Sequence, residues 1–176
     1  MKKVLLSLLV LCAFVATTFG QNDRITFHNG KIVEGKVVKL EEFTIIFKYA
    51  GEDAEQTISK LVVGQILYSS GRQEQVTEKI VVNGIDDWEK VEILLDKSQI
   101  VGLTKVDEVQ GKTTAFFAGY TSASGTDKRS MKKLLEAAAA LGCPFVYITA
   151  DKDTKGGAQS GAYGAQGNKK GIAYKY

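Results

Sequence analysis

Nucleophilic, acid–base and metal chemistry draw on His, Cys, Asp and Glu in workable combinations, and this chain offers few. It has one histidine, His28, and two cysteines, Cys12 and Cys143. A zinc site takes three or four ligands, and no His/Cys set of that size exists. Ser–His and Cys–His nucleophile pairs need a histidine beside the hydroxyl or thiol. His28 stands between Phe27 and Asn29-Gly30, a hairpin signal, and reads as an exposed turn residue. The acidic clusters Glu52-Asp53-Glu55, Asp86-Asp87-Glu89 and Asp151-Asp153 lack the spacing and the glycine of an EF-hand loop and read as solvated turns. Glycoside hydrolysis needs two carboxylates at a set separation across a cleft. An envelope glycan hydrolase acting through Asp or Glu therefore stays as the enzymatic alternative, with no catalytic residue, cofactor or metal assigned.

Two segments carry binding chemistry instead. The first is Lys155 to Lys170, low in complexity, with glycines at 156, 157, 161, 164 and 167 and another following at 171. Phosphate cradles use glycine so that backbone N–H groups can approach the anion, with a helix N-terminus behind them. Here no Gly-Lys-Ser/Thr pattern occurs and a strand pattern follows. The reading is a long hairpin loop at 155–170, on which Gln159, Tyr163, Gln166 and Asn168 offer an adaptable binding surface. The second is a helical stripe of Met131, Leu134, Leu135, Ala138 and Leu141, with Lys128, Arg129, Lys132 and Lys133 mainly on its other faces. Lys128, Arg129 and Lys132 are candidate partner contacts.

The elements that must position these groups fall into two blocks. Residues 22–78 read as short antiparallel strands: Ile25 and Phe27, an Asn29-Gly30 type I′ turn, Ile32 to Val38 with Gly35 as a bulge or bend, Phe43 to Tyr49, Ile58 to Val63, Ile66 to Tyr68 and Gln73 to Val76. Residues 78–90 mark the boundary. Residues 88–176 form an α/β block with strands at Val91 to Leu95, Ile100 to Val109 and Thr113 to Tyr120. One helix follows, N-capped near Ser124 to Asp127 and ended by Gly142 and Pro144, before a strand at Pro144 to Thr149 and a terminal strand at Ile172 to Tyr176. Cys143, at that helix-to-strand junction, is expected to be buried. The fold class is α+β: a small antiparallel β-barrel-like domain, then a sheet with one packed α-helix.

Residues 1–20 read as a cleaved secretory leader: Lys2-Lys3, an apolar core from Val4 to Val15, and Thr18-Phe19-Gly20 before Gln21. Cys12 lies inside it, and Leu11 in front disfavours acylation at that cysteine. Losing Lys2 and Lys3 from 23 basic residues leaves 21 against 20 acidic ones, a balance of +1. A near-neutral chain has no overall pull toward nucleic acid. No later apolar run is long enough to cross a bilayer.

The pattern Asp23-x-Ile25-x-Phe27-x-Asn29-Gly30-x-x-Val33-x-Gly35-x-Val37 resembles the opening strands of Sm-like barrels, which implies a bent barrel-like sheet. The arginine-glycine pair used by that family to bind RNA has no counterpart; Ser70-Gly71-Arg72 reverses it. Similar front halves also occur in exported bacterial proteins of uncharacterised function. The back half, with Ala137 to Gly142, an apolar strand and Gly171-x-Ala173-Tyr174, resembles envelope domains of the Rcs stress-sensor type. Such domains fix their sheet with disulfides and carry a lipid anchor, and Cys143 has no partner for the former. The expectation is an exported, periplasmic or secreted, non-enzymatic module that binds an envelope protein or a small ligand. A structural subunit that self-associates through its C-terminal strand is a further alternative.

Overall fold

A computed structural model describes residues 22–114, 123–154 and 166–176. The chain forms a six-stranded sheet followed by a four-stranded sheet with one α-helix packed on it. It is α+β, mostly antiparallel, and no closed barrel forms among the described residues.

The first sheet is built from β1 (Asp23–Phe27), β2 (Ile32–Leu40), β3 (Thr44–Tyr49), β4 (Glu55–Ser59), β5 (Val63–Leu67) and β6 (Gln73–Gln75), in the order β4-β3-β2-β1-β5-β6. Alternation puts one side of each strand inward. Ile25, Phe27, Val33, Ile45, Phe47, Val63 and Ile66 meet in one core with Val62. The sheet bends over this core but stays open, because β4 and β6 are its outer strands.

Two local expectations are corrected here. The first turn is not a two-residue loop on Asn29-Gly30. The Gly30 N–H donates to the Phe27 carbonyl (3.0 Å), so His28 and Asn29 are the central residues and Gly30, at φ 88°, follows them in the left-handed region. Gly35 is not a bulge: it pairs in register with Asp23 and Tyr49, and the irregularity lies between Val37 and Lys39. The glycine is there because any Cβ would overlap the Lys48 carbonyl oxygen on β3.

The second sheet has the order β7-β9-β10-β8, from β7 (Glu92–Leu94), β8 (Thr104–Thr114), β9 (Phe145–Thr154) and β10 (Gln166–Lys175). β7 runs parallel to β9 and the other pairings are antiparallel. Helix α1 (Ala123–Ala140) lies on one face. Leu134, Ala138 and Ala139 bury fully against Val109, Val146 and Ala173. Gly111 on β8 allows the closest approach, since a Cβ there would strike the Ser130 carbonyl oxygen of the helix. Gly142, at φ 65°, ends the helix as its sequence position predicts. Leu141 departs from the predicted stripe: it stands past the last helical turn and is 44% exposed.

Further differences bear on function. The helix begins at Ala123, so Asp127 lies inside it rather than capping it. The hairpin strand β10 begins at Gln166, so 166–170 belongs to the sheet and not to a loop. β10 is also central, hydrogen-bonded to β8 on one side and β9 on the other. The C-terminal strand therefore offers no free edge to a second chain; the outer strands of this sheet are β7 and β8.

The two sheets meet through a shared apolar cluster. Leu94, Phe145 and Tyr174 pack with Leu61, Ile100, Leu103, Tyr147, Ile172 and Tyr176. The Ser59 N–H also donates to the Val101 carbonyl (3.0 Å), carrying β4 across to the second unit.

Candidate functional site

His28 is half-buried, contrary to the exposed turn expected of it, because long-range partners close over the hairpin end. Its Nε2 lies 2.8 Å from Thr77 Oγ1. That hydroxyl donates to the Val63 carbonyl at 2.8 Å, which leaves His28 as the N–H donor to Thr77. The imidazole packs against the Tyr176 ring at a tilt, with centroids 4.8 Å apart. Burial, and then the Lys79 ammonium, hold its pKa below the ordinary histidine value. The single histidine is thus a structural tie.

Cys143 is fully buried and free, as its junction position predicts. Burial pushes its thiol pKa up, against a smaller opposing effect of Lys175. Such a thiol is a poor nucleophile. No group of three or more His, Cys, Asp and Glu side chains close enough to share a metal ion occurs among the described residues.

Several carboxylates are engaged in holding the fold. Buried Asp23 accepts the Val37 and Ser69 N–H groups, both at 2.8 Å, beside an open cleft of about 450 Å³. Asp87 takes Lys90 Nζ (2.7 Å) and the Asn83 N–H (2.9 Å), and the Lys90 contact leads in lowering its pKa. Asp96 caps a short 3-10 turn over Lys97–Ile100, and its pKa is lowered by the Ser98 hydroxyl first. Glu52 and Asp53 lie in an exposed connection, as expected of them, whereas Glu55, also exposed, opens β4 opposite Lys48 of β3.

The binding segments separate into what the structure places and what it does not. Residues 1–20, Gln159 and Tyr163 lie outside the described residues. Asn168, on β10, accepts a hydrogen bond from Gln110 on β8, and Gln166 opens the same strand opposite Thr114 and Thr154. Helix α1 meets this hairpin base through Asp127, which pairs with the buried Lys169 of β10. Sequence reasoning missed this pair because the two residues come from separate elements and nothing local links them.

Lys128, Arg129, Lys132 and Lys133 are all exposed on the outer side of α1. Lys132 reaches Glu136 at 3.7 Å and sits 4.9 Å from the centre of the Trp88 ring, a cation–π distance. Trp88 is half-buried in a 3-10 turn, Ile85–Lys90, that packs against α1. Lys133 Nζ donates to the Lys112 carbonyl of β8 (3.1 Å). Lys128 and Arg129 pair with no carboxylate among the described residues. The first turn of α1 holds no acid and its last turn no base. That arrangement ignores the helix dipole, which favours acids first and bases last.

Fold and site define an α+β protein with a structural histidine, a buried thiol and an open cationic helix face bordered by a tryptophan. No protein-family model matches the chain, and neither a curated protein nor a solved structure matches it.

Proposed function

We propose that this chain is an exported, non-enzymatic binding module of the cell envelope, and that its docking surface is the outer face of α1. The carrying observation is the cluster Lys128, Arg129, Lys132 and Lys133, exposed together along the middle turns of the helix beside Trp88. None of these bases stands in the last turn, where a base would serve the helix dipole. The partner is an envelope protein with an acidic surface. The lysines and arginine of this face supply the electrostatic complement to an acidic surface, and Trp88 supplies the aromatic anchor enriched where proteins meet. Export rests on the leader pattern of residues 1–20. No helix among the described residues is long and apolar enough to cross a membrane.

The Sm-like reading of the first unit and the Rcs-like reading of the second remain part of the proposal. The Asp23 to Val37 pattern supports the first, folding as an antiparallel hairpin that continues into a bent sheet. The succession β8, α1, β9, hairpin, β10 supports the second.

A photocrosslinker placed at Arg129 in cells exporting the full chain tests the docking surface. The proposal expects one reproducible protein, linked through an acidic segment, whose capture declines as salt rises. Capture that is absent, or indifferent to salt, counts against it.

A further inference from the structure

We propose that His28 is an acid-sensitive latch between the two sheets: neutral, it ties the β1–β2 turn to the connecting segment and the C-terminal tyrosine, and protonated, it loosens that junction. This rests on geometry independent of the helix face.

The ring joins three stretches that are remote in sequence. Thr77, 49 residues on, holds Nε2 at 2.8 Å and passes a hydrogen bond to the Val63 carbonyl. Tyr176 meets the imidazole in a tilted ring contact, 59° between planes, and its hydroxyl accepts the Ile80 N–H at 2.9 Å across 96 residues. The same phenol ring stands edge-on to Phe145 of β9, with centroids 5.3 Å apart. First sheet, connecting segment and second sheet are thereby linked through two side chains. On another side, a Cβ on Gly64 of β5 would come within 3.2 Å of the imidazole, so the ring lies close against that strand.

The charged and titratable groups described around His28 are few. Lys79 donates from Nζ to the His28 carbonyl at 3.0 Å and lies 5.9 Å from the centre of the Tyr176 ring. The Tyr176 phenol faces the imidazole from the end of the second sheet, with its pKa raised chiefly by burial, so it stays neutral. The 3-10 turn Lys60–Val62 and β5 send the carbonyls of Lys60 and Val63 to Thr77. A second positive charge would therefore enter a half-buried site that already holds a lysine, with no carboxylate described facing it.

The sign follows from the lowered pKa. Between the unfolded histidine value and the folded one, the open or unfolded chain binds more protons than the closed one. The closed junction has its full stability above the unfolded value, about 6.5, and loses it as pH falls through the folded value. The contacts of Ser59, Leu61 and Leu103 between the sheets carry no titratable group, so the loosening is local to Thr77, Ile80 and Tyr176.

Because the chain has one histidine, its ring resonance in the intact protein is assigned without ambiguity. Titrating it by NMR between pH 8 and 4.5, with the hydrogen-exchange protection of the Ile80 amide measured at each step, tests the latch. The expected result is a midpoint below the ordinary histidine value and a several-fold loss of Ile80 protection sharing that midpoint, while Val146 in the core is unchanged. His28→Gln keeps a donor toward Thr77 and removes the titration, so it flattens the Ile80 response. Should that variant misfold, Lys79→Met raises the midpoint by removing the nearby charge. A histidine titrating at or above its ordinary value, Ile80 protection that does not follow it, a pH response retained in His28→Gln, or a midpoint unmoved by Lys79→Met would each overturn the proposal.

Discussion

Gly111→Ala is the substitution that most directly probes how α1 is held. The added Cβ would overlap the Ser130 carbonyl oxygen and lie 2.8 Å from the Leu134 nitrogen and 2.9 Å from the Ser130 carbonyl carbon. All three neighbours are helix backbone, so no side chain can swing aside and α1 itself must retreat. Retreat opens a gap where Leu134 and Ala138, both fully buried, meet Val109, Val146 and Ala173. Overpacking of this kind costs about 1–3 kcal/mol. Replacing a glycine inside a regular element returns about 0.5–1 kcal/mol through the unfolded chain. With three backbone atoms in the way the upper end of that cost, about 3 kcal/mol, applies, so the net loss is about 2–2.5 kcal/mol, roughly 4–10 °C in Tm for a chain of this size. Thermal and denaturant unfolding of wild type and variant measure it, with Lys112→Ala as a control at the adjacent exposed residue. A Gly111→Ala protein within about 0.5 kcal/mol of wild type, the ordinary range for surface changes, would refute the packing argument. It would also detach the cationic face from the position given to it here.

Asp23→Asn leaves one of the Val37 and Ser69 N–H groups facing an amide donor instead of a carboxylate oxygen. An expected loss of about 1–3 kcal/mol is read from denaturant midpoints; an unchanged midpoint would show that the two bonds add nothing. Cys143, fully buried and with its thiol pKa raised by burial, reacts with a thiol reagent far more slowly in the native protein than in denaturant. Equal rates would place it at the surface.

How far the sequence reveals this molecule depends on the range of the interaction concerned. The C-terminal end of α1 was legible because Gly142 and Pro144 act on the residues beside them. Its N-terminal end was not, because the Asp127 carboxylate that suggested a cap is committed to Lys169 on β10. Period-two alternation located most strands but gave no lateral order. The terminal strand thus read as an edge, although β8 closes its second side. Gly35 showed that a special backbone position exists, without showing that the reason is the Lys48 carbonyl on another strand. His28 read as exposed because Phe27 and Asn29-Gly30 describe a turn, while its real environment comes from Thr77 and Tyr176. The candidate site divides the same way. Lys128, Arg129 and Lys132 are exposed as the helical period predicts, but their neighbour Trp88 belongs to another element.

The most direct test of the central claim is capture of the envelope partner by three full-length proteins in exporting cells: wild type, Lys128→Glu/Arg129→Glu, and Lys36→Glu, which reverses an exposed cation on the first sheet. The account predicts that the double variant loses the partner while the Lys36 variant keeps it, with similar amounts of folded protein in all three. Equal capture by the double variant and wild type would contradict the assignment of the α1 face as the docking surface.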